Sequence, residues 1–262
     1  MSMLRLENIT KIIHNGSNEE KVLLDHIDFQ VNAGDFVTVL GGNGAGKSTL
    51  FNTISGSLPA TSGKIFIDNQ EVTHLSEELR APFIARVFQD PKMGTAPRMT
   101  VAENLLLAKF RGQKRSLKLR KLSQYQEEFY QLCAQIGNGL EAHLQSATGD
   151  LSGGQRQALS LLMATIQSPK LLLLDEHTAA LDPKTAKQLM HLTAEIVEQK
   201  QLTCMMITHR MEDALKYGNR LIVLKKGKII KDLSNEEKAK FAKKLYEIMQ
   251  KEVLHFFEDD FI

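Results

Sequence analysis

The sequence predicts an α/β protein in which a parallel β-sheet core is interrupted by a helical subdomain. The first 70 residues consist mainly of runs rich in β-branched and apolar residues. Residues from about 100 to 168 follow helical patterns, and after residue 170 short apolar strands alternate with a helix. Strands that alternate with helices form parallel sheets covered on both faces, and this pattern indicates the fold class.

Five strands are expected before residue 90, separated by turns such as Asn32-Ala33-Gly34. Their bounds are Met3–Ile13, Val22–Val31, Phe36–Leu40, Lys64–Asp68 and Ile84–Phe88. A glycine-rich stretch after the third strand leads into a helix at Lys47–Ser55.

The prolines and glycine of Asp90–Arg98 predict a loop. Thr100 and Glu103 form a capping box before a helix at Val101–Phe110, and Arg156–Ile166 continues the helical part. The elements expected after it are strands at Leu171–Leu174, Cys204–Thr208 and Leu221–Leu224 and a helix at Pro183–Lys200.

The patterns divide the chain into a domain at 1–233 and a helical tail at 234–262. Within the domain, 1–89 and 166–233 form the α/β core and about 90–165 form the helical subdomain. The tail starts at the capping box of Ser234 and Glu237. Its apolar residues at helical spacing, Phe241, Leu245, Ile248 and Met249, pack on the same domain or contact a partner.

Composition indicates a soluble globular protein: the 262 residues are 42% hydrophobic and 24% charged. A net charge of +2 neither indicates nor excludes nucleic acid. Cys133 and Cys204 lack metal or disulfide spacing, so we expect buried thiols in a reducing compartment. The N-terminus lacks a secretory signal and the apolar runs are too short to cross a bilayer, so a cytosolic location is expected.

The stretch Gly41–Thr49 (GGNGAGKST) matches G-x-x-x-x-G-K-[ST] between a predicted strand and a predicted helix, the context that a phosphate-binding loop requires. Glycines let backbone N–H groups turn toward phosphate oxygens, and the helix N-terminus adds partial positive charge. Lys47 would reach the β- and γ-phosphates and Ser48 would bind Mg²⁺. The residues expected to bind the triphosphate are Gly41, Gly42, Asn43, Gly44, Ala45, Gly46, Lys47, Ser48 and Thr49.

The stretch Leu171–Glu176 (LLLLDE) predicts a buried strand that ends in two carboxylates. Ligands of open α/β sheets bind at the carboxyl ends of the strands. Asp175 would therefore hold Mg²⁺ through its water shell, and Glu176 would orient or deprotonate an attacking water.

A third motif is the helix start at Asp150–Leu159 (DLSGGQRQAL). Ser152 and Gln155 fit an S-x-x-Q capping box, but two consecutive glycines each cost a helix about 1 kcal/mol relative to alanine. Positions without side chains at a helix start allow close approach of an anion. We therefore expect a phosphate to reach this helix from outside the chain.

These motifs, with Gln89, Ala180-Leu181-Asp182 and His209, occur in the order and spacing of the ATP-binding subunits of ABC transporters. The resemblance covers about residues 3–233, and LSGGQ is the signature of that family. It implies a P-loop NTPase core of ABC ATPase type with an antiparallel β subdomain and a helical signature subdomain. It also implies ATP and Mg²⁺ as cofactors and a head-to-tail dimer in which each signature completes the ATP site of the other copy.

The resemblance assigns further roles. Gln89 would touch Mg²⁺ and the water, His209 would contact the γ-phosphate, and Asp182 would contact the opposite subunit. Ser152 would donate to the γ-phosphate across the interface. Gly153, Gly154 and Gln155 would line that contact.

The sequence departs from the family in two places. The stretch Lys11–His14 has no aromatic residue to stack on adenine, which leaves Ile13 or His14 to pack on the base. His177 stands where a proline is common, and we interpret it as a helix-start variant and not as a catalyst.

The resemblance favours an importer subunit that works at the cytoplasmic face of the cell membrane. Gly94–Phe110 resembles the start of the subdomain that grips a cytoplasmic helix of a separate permease. An extracytoplasmic binding protein for an amino acid or similar small solute would complete the system. The alternative is a soluble ABC ATPase of cofactor assembly. No nucleic acid partner is expected, because the translation-associated branch has two ATPase units per chain and residues 90–150 cannot hold the insertion of the DNA-repair branch.

A basic run begins at the end of the predicted helix Val101–Phe110. Its cations either form a solvated helix face or contact anionic lipid head groups, in which case each cation would contribute about 1 kcal/mol to membrane binding. They are Lys109, Arg111, Lys114, Arg115, Lys118, Arg120 and Lys121.

Overall fold

A computed structural model describes residues 1–15, 19–113 and 121–243. The strands are β1 (Ser2–Asn15), β2 (Glu19–Asn32), β3 (Phe36–Leu40), β4 (Ser62–Ile67), β5 (Gln70–Glu71), β6 (Ile84–Val87), β7 (Leu171–Asp175), β8 (Cys204–Ile207), β9 (Arg220–Lys225) and β10 (Lys228–Leu233). The α-helices are α1 (Lys47–Ser55), α2 (Glu77–Arg80), α3 (Val101–Lys109), α4 (Gln126–Ala134), α5 (Gly153–Thr165), α6 (Pro183–Gln199) and α7 (Met211–Lys216).

The strands form two sheets. An antiparallel sheet has the order β2-β1-β4-β5, and a larger sheet has the order β10-β9-β3-β8-β7-β6. Strands β9, β3, β8, β7 and β6 run parallel, while β10 pairs antiparallel with β9 as a hairpin. The predicted parallel sheet is confirmed, and the carboxyl ends of β3, β6, β7 and β8 meet at one edge.

Each face of the larger sheet has its own core, because successive side chains of a strand point to opposite faces. One face packs against α1 and the antiparallel sheet, and its contributors include Val39, Leu173 and Met205. The other face packs against α5 and α6 and includes Leu172, Leu174 and Met206. The strand run of leucines is therefore buried on both sides, as the sequence predicted.

The helical subdomain has a third core between α3, α4 and α5, formed by residues such as Leu105, Phe129 and Leu159. The capping box of Thr100 and Glu103 opens α3 as expected. Cys133 and Cys204 are buried free thiols. Burial raises the pKa of the Cys133 thiol to about 12, with a smaller contribution from the charge of Glu141, and burial also raises the pKa of Cys204.

Some boundaries and elements differ from the sequence predictions. Helix α5 begins at Gly153 and not at Arg156, because the Ser152 cap starts the helix ahead of both glycines. The short elements α2 and β5, together with α7 and β10, were not predicted. They are too short or too polar to produce a clear apolar period.

The predicted tail helix is present over residues 235–243, and its capping box joins Ser234 to Glu237. The buried Lys238 ammonium donates to the carbonyl oxygens of Tyr217 and Gly218. The first turns therefore pack on the same domain. Several residues of the tail and basic-run predictions lie outside the described residues, namely Lys114, Arg115, Lys118, Arg120, Leu245, Ile248 and Met249.

Within the described part of the chain, no helix is both long and apolar enough to span a bilayer.

Candidate functional site

The loop between β3 and α1 has the backbone of a phosphate cradle. Gly44 and Gly46 have φ of +73° and +105°, a left-handed region that favours glycine. A Cβ on Gly46 would also lie 2.9 Å from the carbonyl oxygen of Leu23. Gly42 lacks a left-handed backbone, and nothing lies within 4 Å of its Cβ position. The conformational freedom of glycine is therefore required at Gly44 and Gly46 and not at Gly42.

Lys47 lies inside this loop. Its side chain is buried, and Nζ donates to the carbonyl oxygens of Gly41 at 2.7 Å and Gly42 at 3.2 Å. The neighbouring Ser48 is exposed at the first turn of α1. The loop thus presents an ammonium group and a helix N-terminus to the same space, and both favour an anion.

Asp175 ends β7 at the same sheet edge and is held by an arginine, Arg86, that was not predicted from the sequence. Arg86 Nη2 donates to Asp175 Oδ2 at 2.5 Å, and Arg86 Nη1 donates to Asn52 Oδ1 of α1 at 2.6 Å. The available signal was a charged residue within the short apolar strand β6.

Glu176 and His209 lie together at this edge, as their assigned roles require. His209 Nδ1 is 3.4 Å from Glu176 Oε2, and the backbone N–H of Glu176 donates to the carbonyl of Ile207 on β8. Glu176 has φ of +45°, which costs a non-glycine residue about 1 kcal/mol or more. Such strain concentrates at functional sites.

Gln89 is exposed just after β6, and within the described residues no hydrogen bond joins its side chain to the carboxylates. The strand end beside it is tied to the signature helix, because the buried Gln157 of α5 donates from Nε2 to the carbonyl of Phe88 at 2.9 Å. Gln157 was not among the residues predicted from the sequence.

The signature helix has the expected capping box. Ser152 Oγ accepts from the backbone N–H of Gln155, and Gln155 Oε1 accepts from the backbone N–H of Ser152, each at 3.2 Å. Ser152 and Gly153 are exposed. Within the described residues, no hydrogen bond or ion pair joins 152–155 to the loop at 41–49.

The two consecutive glycines at the start of α5 differ in their surroundings, which corrects the expectation that both allow an anion to approach. A Cβ on Gly154 would lie 2.6 Å from Cγ2 of Thr185 on α6, so packing within the chain already requires glycine there. A Cβ on Gly153 would meet only Leu181 at 3.8 Å, an ordinary contact. Gly153 is therefore the glycine whose absent side chain has no explanation within the described structure.

Asp182 caps α6 by accepting from the backbone N–H groups of Lys184 and Thr185, each at 3.1 Å. Hydrogen bonds from the side chain and backbone of Thr185 hold the pKa of this carboxyl below its usual value. It thus has a role within the chain besides the one expected toward the opposite subunit.

The interpretation of His177 as a helix-start residue is wrong. His177 lies in a turn, since α6 begins at Pro183 after its Asp182 cap. The ring is buried, and Nε2 hydrogen-bonds Thr193 Oγ1 of α6 at 3.0 Å. Burial lowers the pKa of His177 to about 4, so the ring is neutral at pH 7.

The base-packing residue stays a prediction. Ile13 pairs with Lys21 in the β1–β2 hairpin, and the exposed His14 lies 3.7 Å from Glu20.

The donor chemistry of the sheet edge fits Mg²⁺ bound together with a nucleotide. Ser48, Gln89 and Asp175 offer hydroxyl, amide and carboxylate oxygens, the hard ligands that Mg²⁺ prefers. No group of three or more His, Cys, Asp or Glu side chains within the described residues could hold a metal alone. Magnesium commonly takes one or two carboxylates plus substrate phosphates and water, so this sparse set is sufficient.

A groove of about 550 Å³ is lined by residues of α2 and β6 on one side and of α3 and α5 on the other. Met93 and Leu107, which are 69% and 42% exposed, line it beside Arg86 and Arg111. The groove lies next to the strand that leads to Gln89.

Known proteins resemble most of the chain. The ABC transporter family model matches residues 24–179. The chain is 44% identical to the tyrosine transport ATP-binding protein of Clostridioides difficile (strain R20291), over 90% of this chain and 94% of the relative. It is 35% identical to a phosphonates import ATP-binding protein of Lactococcus lactis subsp. lactis (strain IL1403), over 91% and 96%.

Solved structures of ATP-binding cassettes also resemble this chain. The chain resembles a dimeric ATP-binding cassette in a post-hydrolysis state bound to ADP and Pi, with a TM-score of 0.77 and 28% identity. The match covers 89% of this chain and 99% of that one.

Proposed function

Since this chain belongs to the ABC transporter family, we propose that it is the ATP-hydrolysing subunit that energises import of a small solute through a separate permease. One observation carries the proposal. The phosphate loop, Asp175 and the Glu176–His209 pair meet at one sheet edge, while the signature helix start is exposed and separate from them.

Each group at the sheet edge has a chemical task. Lys47 exchanges the carbonyls of Gly41 and Gly42 for β- and γ-phosphate oxygens. Mg²⁺, held by Ser48, Gln89 and, through water, Asp175, would neutralise developing phosphate charge. Glu176 takes the proton of the attacking water, and His209 keeps that carboxylate in place and contacts the γ-phosphate.

Two copies are needed to complete the site. Ser152 and Gly153 of one copy meet the γ-phosphate bound by the other, and Asp182 contacts the opposite subunit. Donors preorganised around a reacting phosphate can each contribute about 3 kcal/mol to the chemical step. A two-fold axis builds both sites at once, so dimer closure and hydrolysis are coupled.

The groove beside β6 is the docking surface for a cytoplasmic helix of the permease. Exposed Met93 and Leu107 offer apolar contacts, and the adjoining strand leads directly to Gln89. This docking places the chain at the cytoplasmic face of the membrane. An extracytoplasmic binding protein would deliver the solute, and the tyrosine-transport relative favours an amino acid. Nothing in the site favours cofactor assembly.

Co-purification of integral membrane proteins with this chain tests the proposal. Leu107→Glu places a charge in the groove, so we expect recovery of the permease to fall by about tenfold or more while the chain still hydrolyses ATP. Leu79→Glu is the matched control, because Leu79 is 59% exposed on α2 and does not line the groove. Equal recovery with both variants, or a soluble scaffold in place of an integral membrane protein, contradicts the proposal.

A further inference from the structure

We propose that Arg86 is a built-in counter-ion of the magnesium-binding carboxylate, which makes metal binding depend on the nucleotide. The inference deepens the proposed function and depends on it. Its starting point is the ion pair between Arg86 Nη2 and Asp175 Oδ2 at 2.5 Å.

The pair is shielded from solvent. The side chains of Arg86 and Asp175 are 11% and 13% exposed, so water screens their attraction only weakly. The guanidinium is fixed on two further sides, by Asn52 Oδ1 at 2.6 Å and by the ring of Phe88 at 4.7 Å from its centroid. It therefore stays next to the carboxylate and does not exchange freely with solvent.

Other features of Arg86 distinguish it from a residue placed only for stability. Its Nε is buried and has no hydrogen-bond partner within the described residues, an arrangement that costs stability. A nearby buried arginine, Arg80, donates only to backbone carbonyls, those of Thr53, Ile54, Thr73 and Leu75. Arg86 instead faces the carboxylate at the reacting edge.

Arg86 is also the cation that compensates Asp175. Lys47, the other cation of the site, donates to the carbonyls of Gly41 and Gly42. The carboxylate charge is thus neutralised before any metal arrives. Arg86 occupies Oδ2, and within the described residues no hydrogen bond reaches Oδ1, which leaves that oxygen for the water shell of the metal.

A neutralised carboxylate attracts a divalent cation less than a bare one does. Mg²⁺ would then draw most of its binding energy from the phosphates, so Asp175 would bind it only weakly in the absence of a nucleotide. Arg86 is accordingly a positioning residue that sets the metal affinity of Asp175 and touches no substrate atom.

The test separates charge from packing in the full-length chain. Calorimetry measures the dissociation constant of ADP in EDTA and again at saturating Mg²⁺, and the ratio of the two reports how far the metal strengthens binding. Arg86→Gln removes the charge, so we expect this ratio to rise about tenfold above wild type. Arg86→Lys keeps the charge and is the matched control, expected to stay within about twofold of wild type.

A purely structural role would weaken ADP binding in both conditions and leave the ratio unchanged. Arg86→Met, whose apolar side chain suits the position beside the Phe88 ring, is a second neutral variant in case Arg86→Gln does not fold. An unchanged ratio in the neutral variants, or an equal rise in Arg86→Lys, overturns the inference. Failure of the wild-type chain to bind ADP in either condition would instead refute the proposed function.

Discussion

Glu176 has a strained backbone conformation that places its carboxylate at the sheet edge. Its left-handed backbone turns the chain sharply at the end of β7 and brings the carboxylate to 3.4 Å from His209. A glycine would adopt this conformation without strain but would offer no proton acceptor. A residue with an unfavourable backbone conformation at the edge of the sheet that binds ligands is expected to be functional. This strain is not visible in the sequence.

His177 is a residue with a measurable effect on the pH dependence of stability. Its pKa is about 4 in the folded protein, below the ordinary 6.5, so between these values the unfolded chain binds the extra proton. Stability is therefore lost as the pH falls from 6.5 toward 4, by up to ~3 kcal/mol from this residue.

We expect His177→Gln, which keeps a hydrogen-bonding group near Thr193, to lose less stability than wild type between pH 7.5 and pH 4.5 in urea unfolding. The matched control is His191→Gln, because His191 is 75% exposed on the same helix as Thr193. Equal acid sensitivity of His177→Gln and wild type would contradict the assignment.

At the scale of elements, the contact between α5 and α6 explains why one of the two consecutive glycines, Gly154, lacks a side chain. Gly154→Ala places a methyl 2.6 Å from Thr185 Cγ2, and we expect this overpacking to lower the free energy of unfolding by about 1–3 kcal/mol. The higher helix propensity of alanine offsets about 1 kcal/mol of that loss. Thr185→Ser removes that methyl but keeps the hydroxyl that bonds Asp182, so the double variant should regain the lost stability. Gly153→Ala, with 3.8 Å of room, should unfold no earlier than wild type. Thermal unfolding of the four proteins gives the comparison, and a stable Gly154→Ala variant would refute the packing explanation.

The sequence predicted the elements that bear motifs better than the contacts between them. Helix α1 has the predicted bounds, since the glycines of the loop and the strand before it leave little freedom for its start. The close approach of α5 to α6 and the pairing of Arg86 with Asp175 could not be predicted. Both depend on residues far apart in the chain that only the packed sheet and helices bring together.

For the whole molecule, the signature and the phosphate loop lie on separate parts of one chain, so each ATP site should draw on two copies. Lys47→Ala removes the phosphate ligand of its own half-site, and Ser152→Asp keeps the helix cap but repels the phosphate of its partner. Either variant alone should be inactive. In a head-to-tail dimer, an equal mixture rebuilds one intact site in each mixed pair, so ATPase activity should return to about a quarter of wild type.

Lys47→Ala mixed with Glu176→Gln is the matched control, because both changes damage the same half of the site and no mixed pair regains an intact one. If the mixture of Lys47→Ala and Ser152→Asp stays as inactive as the control, the phosphate loop and the signature do not complement each other between copies. The proposal of an ATP site shared by two copies is then wrong.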